Sequence, residues 1–421
     1  MGVKIAVVGG GSTYTPELVD GFMARRDRLA VDELVLHDID AVRLAVVGGV
    51  AGRILARQGW SGRLTTTMDR VAAVDGASFV VVQLRVGGQA ARLVDETLPL
   101  RFGCIGQETT GPGGFAKALR TVPVVLEIAA DVQRHAAPGA WIVDFTNPVG
   151  IVTQALLDAG HRAVGLCNVA ITLGHHVARL LGVESDQVAL EHVGLNHLTW
   201  VRAARVGGVD RLPELLERSA GELGEELQLP GALLRLLGAI PSYYLRYYYA
   251  TGDVLAEQLT KPSRAEEVMA IEETLMAMYR DTALDRKPEL LEQRGGAYYS
   301  EAAARLIASL HADTRDVQVV NVRNDGALPD LPPDAVVEVP ARIDRDGAHP
   351  LPLVPLAPEL RGLVQHAKAY EVLTVEAALH GDRATALRAL LANPLVGRFD
   401  TATALLDAIL DANRAYLPRF R

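Results

Sequence analysis

"KIAVVGGGSTYTPELVDGFMAR", Lys4 to Arg25, decides how the chain begins to fold. Four apolar residues in a row, Ile5 to Val8, mark a strand buried on both faces. Three glycines follow, and a helix can start near Thr15-Pro16 because proline is tolerated in a first turn. Glycines let the backbone come close to a pyrophosphate, and the free N–H groups at a helix start favour its negative charge. The spacing matches G-x-G-x-x-G at Gly9 and Gly11, with Tyr14 in place of the third glycine. Gly9, Gly11, Ser12 and Thr13 are therefore the candidate cofactor-binding turn.

Working outward, "DELVLHDID" supplies a second strand with Asp38 at its end. A carboxylate there accepts hydrogen bonds from a ribose diol and repels a 2′-phosphate, which favours NAD over NADP. "ASFVVVQLRVGG" and "AWIVDFTNPVG" read as further buried strands, with "FAKALRTVPVVLEIAADVQRH" as a helix between them. This alternation predicts an α/β fold, a Rossmann-like doubly wound parallel sheet with ligands at the carboxyl ends of its strands. Polar residues crowd those ends. Arg85 follows "VVQL"; Gln107, Glu108 and Thr109 lie in "GCIGQETTGPGG", too glycine-rich for a helix interior; Asn147 precedes Pro148 and is biased to an extended or turn conformation.

At 421 residues the chain exceeds a single core, so two packed lobes are expected, a NAD-binding lobe over 1–168 and a second over 169–421. The second reads as a mainly helical α+β lobe. "ITLGHHVARLLGV" has helical spacing, "RLPELLERSAGELGEELQLPGALLRLLGAIP" suggests surface helices or an oligomer contact, and "DVQVVNVRNDGALPDLPPDAVVEVPARID" reads as strands joined by a proline-rich turn. Net charge is −9 with no Lys/Arg-rich run, which argues against a nucleic-acid partner. An anionic small molecule remains compatible, because a few buried arginines can serve it. Apolar runs such as "SFVVVQL" are far shorter than a bilayer span, so no membrane partner is expected. The only two cysteines, Cys104 and Cys167, form no disulfide framework, and the reducing cytoplasm is the expected compartment.

Cys167 lies in "GLCNVAITLGHH", upstream of a histidine-bearing strand, "HVGLNHLTW", that contains His197. Read from the residues alone, the pair is either a buried thiol beside a core histidine or half of a metal site. The spacing matches no zinc pattern, so both readings stay open at this level.

Taken together, "VVGGGSTYTPEL", "QLRVGG", "IGQETTGPGGFAKALRT", "FTNPVGIVT", "GLCNV", "GLNHL" and "VVEVPARID" resemble the family 4 glycoside hydrolases, which depend on NAD and a divalent metal. The motifs run in order along nearly the whole chain. "CNV", with Asn168 after the cysteine, resembles the branch acting on 6-phospho-β-glucosides; α-acting members tend to carry an acid or histidine there. The resemblance implies that Cys167 and His197 are the two protein ligands of a manganese-type ion, with sugar hydroxyls and water completing the shell. It implies a tyrosine base in "IPSYYLRYYY", with Tyr244 preferred over Tyr243 and Tyr247. It gives Arg85 to the sugar 6-phosphate, with help from Ser12 and Arg246, and Glu108, Asn147 and Asn168 to substrate binding. A homodimer or homotetramer is expected.

Most glycosidases flank the bond with two carboxylates, and NAD-dependent members of this family are a known exception. The implied route oxidises sugar carbon 3, removes the proton on carbon 2 with the metal as Lewis acid, eliminates the aglycone from carbon 1, adds water, and returns the hydride. A phenol of ordinary pKa about 10 serves as base only where a nearby cation favours its phenolate. Three other readings stay open here: a glycosidase of the same family acting on an unphosphorylated or sulfonated glycoside, an NAD-dependent hydroxy-acid dehydrogenase, and a non-catalytic NAD sensor.

Overall fold

The computed structural model describes residues 2–295 and 298–420. Six parallel strands form the heart of a nine-stranded sheet: β1 (Val3–Val8), β2 (Val31–His37), β3 (Arg63–Thr67), β4 (Phe79–Val82), β5 (Trp141–Asp144) and β6 (Ala163–Gly165). Their spatial order is β3-β2-β1-β4-β5-β6, so the order reverses between β1 and β4. Such a switch point opens a crevice at the strand ends. Alternate residues supply two cores. Ile5, Val7, Val81 and Val143 pack on one face, while Ala6, Val8, Val80, Val82 and Ile142 pack on the other. Burial on both sides is what the unbroken apolar runs predict.

The second half of the chain builds a smaller sheet from β7 (Val188–Leu195), β8 (Leu198–Val206), β9 (Val209–Asp210) and β10 (Ile240–Pro241). It then returns to the large sheet with β11 (Val317–Arg323), β12 (Val336–Asp344) and β13 (Gly347–Pro350). β11 lies antiparallel to β6, with Asn321 opposite Gly165, and antiparallel to β12, with Asn321 opposite Glu338. The large sheet is thus parallel over six strands and antiparallel over its last three. The leucine face of "RLPELLERSAGELGEEL" is not displayed at a surface: Leu212, Leu215, Leu216 and Leu223 are buried with Val201 and Ala204 of β8.

The helix Gly111–His135 begins earlier than the glycine content of its loop suggests. Pro112 sits in its first turn, and the glycines serve close approach. A Cβ on Gly113 would lie 2.3 Å from the Gln107 carbonyl and 2.4 Å from that of Asp95. A fork between Arg120 and Asp95, at 2.9 and 2.7 Å and almost fully buried, registers this helix against Gly88–Thr97. Among the described residues no helix is long and apolar enough to cross a membrane.

Candidate active site

The glycine turn is clamped to the end of β2. The N–H groups of Gly9 and Gly10 donate to the His37 carbonyl at 2.9 and 2.7 Å, and the Gly11 N–H donates to Asp38 Oδ2 at 2.9 Å. Gly9 has φ +92°, and a Cβ there would lie 2.5 Å from the Gln83 carbonyl oxygen. Only glycine suits both demands. Tyr14, in the third-glycine position, anchors the turn instead. Its ring meets Tyr299 edge-on at 6.2 Å, and its hydroxyl accepts from the Ser300 N–H at 3.1 Å. Gly9, Gly11, Ser12 and Asp38 all line a cleft of about 1750 Å³. Thr13 does not line it; its buried hydroxyl accepts from Arg294 Nε at 2.7 Å.

Arg85, Glu108, Asn147, Asn168 and Tyr244 line the same cleft. Arg85 and Glu108, separate substrate contacts in the sequence reading, are ion-paired to each other. Lys117 Nζ also reaches Glu108, at 2.6 Å, and Arg92 Nε approaches it at 3.3 Å while donating to Glu96 at 2.7 Å. Burial would raise the Glu108 carboxyl, but the surrounding cations hold it well below the usual carboxylate range. Burial first, then repulsion from Arg85, brings the Lys117 ammonium down to about 7, with Glu108 opposing. One carboxylate thus faces three cations. Lys117 and Arg92 carry no role in the sequence reading, because only the packing of the helices Gly88–Thr97 and Gly111–His135 aims both at one carboxylate. The one local signal is a lysine amid the small and apolar residues of "FAKAL". Asn147 precedes Pro148 through a cis peptide bond, and its Oδ1 is buried with no hydrogen-bond partner among the described residues.

Cys167 leaves the end of β6 and is buried. His197 lies in the tight turn between β7 and β8, with φ +62°, and not on a strand. The two come from different sheets and meet around Tyr244. The rings of His197 and Tyr244 stack with centroids 3.6 Å apart and planes 7° off parallel, and His197 Nδ1 meets the Thr109 hydroxyl at 2.8 Å. Asn196, beside His197, and Tyr299 both act on the Cys167 thiol. Burial brings the His197 imidazole down to about 4, so it is neutral at neutral pH with a lone pair to offer a metal. Burial and the nearby Glu338 push the Cys167 thiol up, with the Asn196 and Tyr299 contacts opposing. A sulfur and an imidazole nitrogen suit a borderline divalent ion. Among the described residues no three His, Cys, Asp or Glu side chains form a metal cage, so a cation held here has positions left for substrate and water.

Burial raises the Tyr244 phenol well above its ordinary value; Cys167, Tyr247 and Glu108 add to this, and Arg92 opposes it. Tyr243 is already committed, its hydroxyl accepting from Arg246 at 2.7 Å. Arg246 also pairs with Glu257 at 2.5 Å, so both are used in holding the tyrosine segment.

A switch-point crevice carrying a glycine turn, a cation-ringed pocket and a thiol–imidazole pair defines an enzyme of the nucleotide-cofactor type. Residues 4–183 match the Family 4 glycosyl hydrolase family and residues 192–396 its C-terminal domain. The chain is 43% identical to a probable 6-phospho-beta-glucosidase of Bacillus subtilis (strain 168), over 100% of this chain and 98% of that one. It superposes with TM-score 0.93 and 36% identity on the 6-phospho-beta glucosidase of Thermotoga maritima solved with manganese, NAD+ and glucose-6-phosphate, covering 98% of this chain and 99% of that one. A phospho-alpha-glucosidase of Clostridium acetobutylicum is 29% identical over 98% of each chain. The chain belongs to the family 4 glycosyl hydrolases.

Proposed function

We propose that this chain hydrolyses 6-phospho-β-glucosides with NAD and a manganese-type divalent ion as cofactors. When bound, NAD supplies transient oxidation at sugar carbon 3, and the ion supplies Lewis-acid stabilisation of the oxygens beside carbon 2. Cys167 and His197 would hold the ion; the glycine turn and Asp38 would hold the dinucleotide, the carboxylate receiving the ribose diol.

Tyr244 takes the proton from carbon 2 and later returns it, while the aglycone leaves carbon 1 and water replaces it. The phenol needs positive charge beside it, and Arg92 supplies some. A divalent ion held by Cys167 and His197 would supply further positive charge there. Arg85, Arg92 and Lys117 present more positive charge than Glu108 neutralises, which suits a 6-phosphate. The bare Asn147 Oδ1 accepts a sugar hydroxyl. Asn168, immediately before the helix Val169–Leu181, faces the same cleft. Its position after the cysteine, with the β-acting names of the more similar relatives, supports the β-linkage.

The observation that carries this reading is the Tyr244–His197 stack beside Cys167, since a dehydrogenase or a sensor has no use for a phenol at a thiol–imidazole pair. The test is incubation with NAD+, Mn(II), a reductant and p-nitrophenyl β-glucoside 6-phosphate in heavy water. Expected are nitrophenol release, no net NADH and deuterium at carbon 2. Stoichiometric NADH, or equal cleavage of the unphosphorylated or α-linked analogue, overturns it.

A further inference from the structure

We propose that Glu338 is a positioning residue for the divalent-ion site, locking its two protein ligands together across the two sheets. The inference rests on the proposed ion-binding role of Cys167 and His197. Glu338 belongs to the "VVEVPARID" motif, to which neither the sequence reading nor the reaction assigns work. Its side chain is 1% exposed, so its charge needs partners. It has three. Oε2 accepts from Asn196 Nδ2 at 2.7 Å and from Asn321 Nδ2 at 2.9 Å, and Oε1 lies 3.2 Å from His192 Nε2.

Two of those partners come from the hairpin that bears His197, and the third from the strand beside the one that leads to Cys167. Asn321 on β11 lies opposite Gly165 of β6, two residues before Cys167. A Cβ on Gly165 would come within 2.9 Å of Asn321 Cβ, so glycine there is what allows β11 to lie this close. His192 is on β7, and Asn196 is the residue next to His197 in the β7–β8 turn. One carboxylate therefore joins β11, which packs against the strand that delivers the thiol, to the hairpin that delivers the imidazole. Asn196 closes the circuit. Asn196 donates to Glu338 and also acts on the Cys167 thiol, opposing its rise. From the other side Gly150 packs against Asn196, where a Cβ would lie 3.1 Å from Asn196 Cβ. The arrangement fixes the orientation of a ligand through its outer hydrogen bonds and places a buried negative charge behind a site for a cation.

The test is Glu338→Gln, which keeps the shape, loses the charge and turns a donor toward donors. Mn(II) affinity is read directly from the electron paramagnetic resonance of free Mn(II), without turnover. NAD affinity serves as the control for folding, because Asp38 lies on the far part of the sheet. Expected is about tenfold to hundredfold weaker Mn(II) binding with unchanged NAD binding, and a displaced thiolate-to-metal absorption in the Co(II)-loaded protein. Glu338→Asp, which restores the charge, recovers part of the Mn(II) affinity. If Glu338→Gln does not fold, Asn196→Ala, which cuts the link and leaves the carboxylate, shows the same loss. Mn(II) affinity within about twofold of wild type in these variants, while Cys167→Ser has lost the ion, overturns the inference and leaves the ion site standing. Absence of Mn(II) binding by the unaltered protein overturns both.

Discussion

Tyr244 lies flat against His197, ring centroids 3.6 Å apart and planes 7° from parallel. The contact ties the proposed base to a proposed metal ligand, so neither ring can shift without moving the other. The phenol hydroxyl is thereby set close to whatever charge the imidazole holds. It also means that the ring and the hydroxyl of Tyr244 can be separated experimentally.

Tyr244→Phe keeps the stacked ring and removes the hydroxyl. Turnover falls by roughly 10²–10⁴, the range for loss of a general base, while Mn(II) and NAD affinities hold. Exchange of the carbon 2 proton with heavy water disappears with it. Tyr243→Phe, which only frees Arg246, retains that exchange. Mass spectrometry of the released sugar phosphate distinguishes the two.

Arg85→Ala leaves Glu108 with Lys117 and Arg92 and removes the partly exposed cation of the ring. A charge-assisted hydrogen bond is worth about 1.5–3 kcal/mol, so KM for a phosphorylated substrate rises roughly tenfold to hundredfold. The unphosphorylated analogue, which never used the bond, is affected far less. Steady-state kinetics on the matched pair of substrates checks this.

How much of this was legible in the sequence depends on whether a residue's task is local. Ile5 to Val8, the Gly9–Gly11 turn and Asp38 are read correctly as strand, turn and strand end because each acts on its near neighbours. Thr13 follows the same glycines, yet its hydroxyl turns toward Arg294, a partner 281 residues away. Gly113 and Gly114 read as loop because glycine breaks isolated helices; here they sit in one, since tight packing on Asp95, Gln107 and Thr109 leaves no room for a Cβ. The cations around Glu108 were hidden for a related reason. Lys117 and Arg92 each look like an ordinary helix residue, and only the packing of two helices aims them at one carboxylate. The motifs themselves were informative about family, but not about which residues within them touch.

Asp38 holds Gly11 as well as facing the cleft, so its loss acts twice. Asp38→Ser removes the carboxylate proposed to exclude a 2′-phosphate and weakens the clamp on the turn. NAD affinity falls about tenfold or more, and the preference for NAD over NADP narrows. Titrations of nicotinamide fluorescence with each reduced cofactor measure both effects.

Lys117 makes phosphate binding depend on pH. In the free protein its ammonium is brought down to about 7 by burial and by Arg85. Below that pH the lysine is charged; above it the proton is lost, and with it one cation of the ring. A substrate phosphate is already a dianion above about pH 7, its second pKa being about 6, so its own titration does not mask the effect. Binding that dianion restores the lysine's charge and must draw in a proton. KM therefore rises as pH climbs above about 7, by at most roughly tenfold per pH unit for one linked proton. Calorimetry in two buffers of different ionisation enthalpy detects the uptake. Lys117→Arg stays charged throughout, giving a flat KM and no uptake, whereas Lys117→Met gives a KM that is flat but high. A wild-type KM independent of pH across this range would mean that Lys117 keeps its proton and that the ring is fully charged before substrate arrives.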